Sequence, residues 1–306
     1  VIEINLVAYF LDTAVYVGIY SILTLSLNLE YGFTGLLNFG KVAFFMIGAY
    51  VSALLTVAGA PYAVGLLGGM VVSALSGLLM SLPALRLRED YLAIVMLVFG
   101  ETIRIVLKNE IWIAGGPFGV TGIPPAFAFL RAIDTEEFYI AINVVIVYGI
   151  LLVLYVLLET LVNSPYGRIL RGIREDEQAT QCLGKNTIRC MAQIFVIGSG
   201  VAGVAGSLYA QYVGYISTRM FLPIVTFTVM VMCILGGSGN NRGAILGALI
   251  MVGLERGTRI AKDYIGVPID PQNLMYILTG TLMVLFLFYR PSGMLKEKPV
   301  KQDRQK

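Results

Sequence analysis

Long, nearly unbroken apolar runs dominate the chain, separated by short clusters of glycine, proline and charge. Nine runs stand out: Leu6–Leu29, Val42–Ala58, Tyr62–Leu82, Tyr91–Lys108, Tyr139–Thr160, Met191–Val213, Pro223–Leu235, Ala244–Ile260 and Asn273–Tyr289. A helix that crosses a bilayer needs about 20 such residues, and most of these runs reach or approach that length. Membrane β-strands would instead alternate apolar and polar over about ten residues, and these runs do not alternate. The pattern predicts an all-α integral membrane protein, a polytopic bundle of about nine transmembrane helices (eight to ten). The seventh run is short for a full crossing, and the second is a candidate for starting in broken helix.

Composition removes the soluble alternatives. Hydrophobic residues make up 57% of the 306 positions and charged residues 13%, against about 25% charged in a soluble domain. The mean hydropathy of +0.80 agrees. One transmembrane domain over residues 1–306 is expected. There is no histidine, so imidazole-based nucleophile activation, proton shuttling and zinc ligation are out of reach. Cys182, Cys190 and Cys233 form no CxxC pair, which argues against a disulfide framework or a thiolate metal site. A net charge of +3 without a basic patch gives nucleic acid nothing to bind. No catalytic, cofactor-binding or metal-binding residue is expected.

Lysine and arginine in short loops set orientation. Three regions are basic: the loop at Arg86 and Arg88, segment 163–190 with Arg168, Arg171, Arg174, Lys185 and Arg189, and the tail from Arg290 to Lys306. These belong in the cytoplasm. Segment 109–138 carries Glu110, Asp134, Glu136 and Glu137 against Arg131 and belongs outside. Nine crossings with the amino terminus out and the carboxyl terminus in satisfy both. The amino end, starting at Val1, lacks the charged start and short apolar core of a cleaved signal.

The longest cytoplasmic loop, 161–190, has helical character of its own. Ser164-Pro165 ends the preceding helix. Ile169, Leu170, Ile173, Ala179 and Leu183 then recur near helical spacing, and Gly184 is a stop signal. Arg171 and Glu175 share one face. Such an amphipathic helix suits docking into a partner's groove, although a solvated connector that enforces topology has the same charges.

Several blocks in order resemble a known family. SPYGRILRGIREDEQATQCLG (164–184) is similar to the coupling loop of LivM-like permease subunits of ABC importers for branched-chain amino acids. NLEYGFTGLLNFGKVAFFMIGAY (28–50) resembles the family's early glycine-rich stretch, with Lys41 where His or Gln is commoner. YLAIVMLVFGETIRIVLKN (91–109), GGPFGVTGIP (115–124), LGGSGNNRGAILGA (235–248) and YRPSGML (289–295) resemble further blocks. The resemblance implies a permease in a bacterial or archaeal cytoplasmic membrane. It also implies a related second permease subunit, two cytoplasmic ATPase subunits and an external substrate-binding protein. Coupling to the ATPases would fall on Gly167, Arg168, Arg171, Arg174, Glu175, Asp176, Leu183 and Gly184. Urea, amides or other amino acids are alternative cargoes, and a stand-alone secondary transporter or channel is the alternative of a different class.

Polar groups inside the apolar runs are the remaining candidates. Glu101 and Arg104 stand three apart on one helical face. A charge at the bilayer centre costs roughly 2.5–3.5 kcal/mol, so the two either line a path or gate, or pair as a structural salt bridge. Asn28, Thr34 and Asn38 sit at the end of the first run and in a glycine-rich connector, 32–40, that is a broken helix beside the path or an ordinary turn. Gly198, Ala202, Gly206 and Ala210 form a small-residue stripe suited to close helix packing, and Gly65–Gly69 and Gly243–Gly247 read the same way. The Gly115–Pro124 loop could receive a binding protein or cap the pore, with Trp112 an anchor at the outer interface. Gly35 to Lys41 spells GxxxxGK, but Val42 replaces the magnesium-binding hydroxyl and no soluble strand precedes it. ATP hydrolysis is therefore expected elsewhere.

Overall fold

The computed structural model describes residues 6–85, 87, 89–111, 115–125, 136–265 and 293–297, with isolated positions between 274 and 289. The apolar runs fold as helices, because a bilayer leaves backbone N–H and C=O groups no partner outside their own segment. The helices begin with α1 (Leu6–Leu27), α2 (Lys41–Val57), α3 (Tyr62–Ala84), α4 (Glu89–Asn109) and α5 (Glu136–Asn163). Two short helices follow, α6 (Pro165–Glu175) and α7 (Glu177–Cys182), before α8 (Thr187–Val213), α9 (Pro223–Gly236) and α10 (Asn241–Ile265). The chain is an all-helical polytopic membrane protein. Five of these stretches are long and apolar enough to cross a membrane, α2 being a shorter apolar helix.

Eight predicted runs thus coincide with helices within a few residues. Of the ninth, Asn273–Tyr289, only isolated positions such as Leu274, Ile277 and Phe288 are described, and these are helical. Arg86, Arg88, Trp112, Arg131, Asp134, Arg290 and the basic residues after Glu297 lie outside the described residues.

The core is built around α8, which packs chiefly against α3 and α2. Small residues make this possible. A Cβ on Gly206 would collide with the Phe45 carbonyl of α2, and one on Gly203 would meet the Gly69 carbonyl of α3. The predicted stripe therefore serves packing. Gly243 and Gly247 do the same at the crossing of α9 and α10, against Gly236 and Met232. In contrast, α3 and α5 show apolar outer faces, with Leu79 69% and Val145 72% exposed, as suits surfaces turned towards lipid or another apolar partner.

The two ends of the bundle differ. At one end Val120–Thr121 pairs antiparallel with Tyr215–Ile216, Val120 opposite Ile216, so the glycine-rich loop after α4 is tied to the end of α8. At the other end α1 loosens into a π-helical turn, Asn28–Gly32. There α6, the α9–α10 turn and residues 293–297 come together. This junction holds most of the candidate residues.

Candidate functional site: a polar junction at a broken helix

The junction begins where α1 stops. Gly35 takes a left-handed backbone (φ +78°), which only glycine adopts freely. The chain then runs non-helically through 35–40 before α2 starts. The Val42 N–H, in the first turn of α2, donates to Thr226 Oγ1 in the first turn of α9 at 3.0 Å. Phe39 packs on Phe227, ring centroids 5.3 Å apart. The connector therefore lies alongside α9 and is largely buried, a break between α1 and α2. Irregular buried backbone needs internal partners.

Those partners include the most deeply buried charges among the described residues. Glu30, in the π-helical turn, and Lys41, at the start of α2, are both 0% exposed and pair at 2.7 Å. The second Glu30 oxygen accepts from Asn38 Nδ2 at 2.9 Å, and Asn38 Oδ1 accepts from the Gly40 N–H at 3.0 Å. A Cβ on Gly198 would strike Glu30 Oε1, so the small stripe of α8 also makes room for this carboxylate. Burying both charges is tolerable only with close pairing and satisfied hydrogen bonds, and Glu30 has both.

Asn28 organises the neighbouring layer. Its Nδ2 donates to Asn241 Oδ1 at 3.0 Å, and its Oδ1 accepts from the Gly239 N–H at 2.9 Å. Asn241 in turn donates to Glu159 Oε2 at 2.9 Å. α1, α10 and α5 are thereby linked through side chains. Thr34 Oγ1 donates to the Leu29 carbonyl at 3.2 Å. Asn28, Thr34 and Asn38, expected beside the path, thus spend their polar atoms on holding the break. Glu101 and Arg104 are not at this junction. They pair within α4, Arg104 Nε donating to Glu101 Oε2 at 2.9 Å, the salt-bridge geometry of the two readings.

The amphipathic loop forms two helices rather than one. α6 is capped by Ser164, whose Oγ accepts from the Tyr166 N–H at 3.2 Å. Extended backbone at Asp176 breaks the helix there, and the Asp176 carboxylate caps α7 by accepting from the Ala179 N–H at 2.9 Å. The apolar face splits with it: Leu170 and Ile173 are buried, while Ala179 and Leu183 are exposed. Gly184 ends the unit with φ +75°. Tyr166, beside Cys190 and Gln193, has its phenol pushed up to about 12 by burial.

The predicted coupling residues separate by direction. Arg168, Glu175, Asp176, Leu183 and Gly184 are exposed. Gly167 is buried against the Val162 carbonyl. Arg171 and Arg174 turn inwards, to Glu297 at 2.9 and 2.8 Å. Arg174 Nη1 also donates to the Gly32 carbonyl. Burial works against the Arg174 charge, but hydrogen bonds and charge attraction to Glu297 and Glu175 together hold its pKa above the usual value. A cavity of about 370 Å³, lined by Tyr31, Gly32, Gly35, Arg174, Ser238 and Glu297, opens beside this contact. Among the described residues no group of three or more Cys, Asp or Glu side chains converges to hold a metal ion.

Residues 9–287 match the family described as the branched-chain amino acid transport system permease component. The chain belongs to that family. It is 31% identical over 322 residues to the probable branched-chain amino acid transport permease protein LivM of Methanocaldococcus jannaschii, covering 92% of each chain. It is 36% identical over 308 residues to the high-affinity LivM permease protein of Salmonella typhimurium, covering 93% of this chain and 69% of that one. The LivH permease protein of Escherichia coli K12 is 27% identical over 298 residues, covering 92% and 93%. No solved structure matches.

At the opposite end lies a second group absent from the sequence-based candidates. Arg256 of α10 pairs with Asp12 of α1 at 2.9 Å and lies over the Tyr16 ring at 4.2 Å. Tyr212 of α8 donates to the same Asp12 carboxylate. Glu30, Lys41, Glu159, Asn241 and Glu297 were not among those candidates either, since each acts through a partner outside its own element.

Proposed function

We propose that this permease-family chain is the transmembrane subunit of an ATP-driven ABC importer that moves branched-chain amino acids inward across the cytoplasmic membrane. In this reading residues 1–306 act as one transmembrane unit with the amino terminus out. A related second permease subunit completes the pathway, an external binding protein delivers substrate, and two cytoplasmic ATPases supply the energy. The chain has no catalytic site of its own. Leucine, isoleucine and valine are the expected cargo because the relatives carry that activity in their names.

The observation that carries the reading is the α6–α7 pair. It projects an exposed polar face, Arg168, Glu175 and Asp176, from the basic end of the bundle, while Leu170 and Ile173 anchor it. ATPase closure would displace this pair and bias the bundle between outward- and inward-open arrangements, a rigid-element switch of a familiar kind.

The test is uptake of labelled leucine, with urea alongside, into proteoliposomes holding the full complex and its binding protein. Leucine uptake that requires the ATPases is expected. Urea uptake with the same requirement would change the cargo, and movement of either solute by this chain alone would overturn the subunit reading. Orientation has its own readout in exposed Cys182. In a Cys190→Ser, Cys233→Ser background, an impermeant maleimide should label Cys182 only from the cytoplasmic side, and bound ATPases should protect it. Labelling from outside would reverse the topology.

A further inference from the structure

α6 is joined to the rest of the chain by a joint at each end. Ser164-Pro165 separates it from α5, and the extended backbone of Asp176 separates it from α7. A helix of 11 residues, about 16 Å long, hinged at both ends, passes a displacement on only through its side chains. Leu170 and Ile173 give it an apolar footing. Tyr166 near its start donates to the Cys190 carbonyl and to Gln193 of α8. In its last two turns the polar inward contacts run through Arg171 and Arg174, three residues apart.

Both arginines end on one carboxylate. Glu297 Oε1 accepts from Arg171 Nε at 2.9 Å, and Oε2 accepts from Arg174 Nη2 at 2.8 Å. The segment that carries Glu297 is itself fixed. The Met294 N–H donates to the Leu235 carbonyl at 2.9 Å and the Leu295 N–H to the Gly236 carbonyl at 3.0 Å. The Lys296 carbonyl accepts from Asn240 Nδ2 at 3.0 Å. Gly239, in the same α9–α10 turn, packs under Glu297 and Arg174 and bonds Asn28. Arg174 reaches the π-helical turn directly at the Gly32 carbonyl, its stem lies against Gly35, and Arg171 lies over the Phe33 ring at 5.5 Å. From there Glu30 leads to Lys41 at the start of α2.

We infer that Glu297 is a positioning residue that clasps the coupling helix to the broken end of α1, so that displacement of α6 enters the bundle instead of being absorbed at its hinges. This rests on the importer reading above. The clasp brings together three elements: α6, the 293–297 segment and the α1 break. A purely structural staple would hold the same residues together. It differs in what its loss does, since a staple governs assembly and stability whereas a transmission contact governs transport per ATP.

The experiment uses the complete importer in proteoliposomes, with complex recovery, ATP hydrolysis stimulated by binding protein, and leucine uptake measured on the same preparation. Glu297→Gln keeps the shape and removes the charge. The expected result is normal recovery, retained ATP hydrolysis and leucine moved per ATP reduced by about fivefold or more, the lower end of ordinary coupling between sites. Glu297→Asp should fall between that variant and the original. An unchanged ratio overturns the inference, as does a fall in ATP hydrolysis and uptake in equal proportion. If Glu297→Gln is not recovered, Arg171→Gln, which leaves the Arg174 arm in place, is read for the same ratio, and an unchanged value again overturns it. A wild-type complex without ATP-dependent uptake would instead fail the importer reading itself, whatever the variants do.

Discussion

Two of the carboxylate–cation pairs in the helices of this protein are not alike. Glu101 and Arg104 stand three residues apart on α4, with side chains 36% and 17% exposed, and need nothing from the rest of the fold. Glu30 and Lys41 stand on either side of a helix break, essentially unexposed, and depend on Asn38, Gly198 and the reversal at Gly35. The first is a local device that lets one helix carry two charges. The second ties two helices together where neither has backbone partners to spare. Charge within a membrane segment is therefore a poor guide to importance until its partners are known.

The sharpest way to break the contrast is to remove one member of the buried pair. Lys41→Met leaves the Glu30 charge unpaired and should destabilise the chain by about 3–5 kcal/mol, read as a large drop in melting temperature of the purified subunit. A middle case is Asn28→Ala, which strands the Gly239 N–H and Asn241 Oδ1. That variant should cost about 1–3 kcal/mol, with increased protease cleavage in the α9–α10 turn as a local readout. The smallest effect belongs to α4. Glu101→Gln should shift stability by at most about 1 kcal/mol and leave leucine uptake unchanged; a strong loss of uptake with normal folding would return Glu101 to the pathway.

This contrast also marks what the sequence made legible. Helix positions followed from apolar length, because the bilayer imposes it, and eight runs coincide with helices. The α8 stripe and the Glu101–Arg104 pair were visible because both repeat within one helix, at spacings of four and three. Glu30 was passed over because its partner lies 11 residues on, beyond a break that no helical period spans. Lys41 drew attention as a departure from the family's commoner His or Gln and as part of a GxxxxGK motif that it does not serve, not as a partner of Glu30. Glu297 sits in a tail whose charge looked like a topology signal, yet its partners are 123 and 126 residues away. The single amphipathic helix expected over 167–184 divides at Asp176, whose carboxylate is a better cap than a helix-interior residue. Spacing rules reach as far as one element, and the junction is built between elements.

The most direct test of this account is a double-mutant cycle on the buried pair, using unfolding free energies of Glu30→Gln, Lys41→Met and the combined variant. Strong coupling is expected, with the double variant less destabilised than the two single changes added together by about 2 kcal/mol or more. Effects that add to within roughly 0.5 kcal/mol would show that Glu30 and Lys41 do not depend on each other, and that the junction is held by something else.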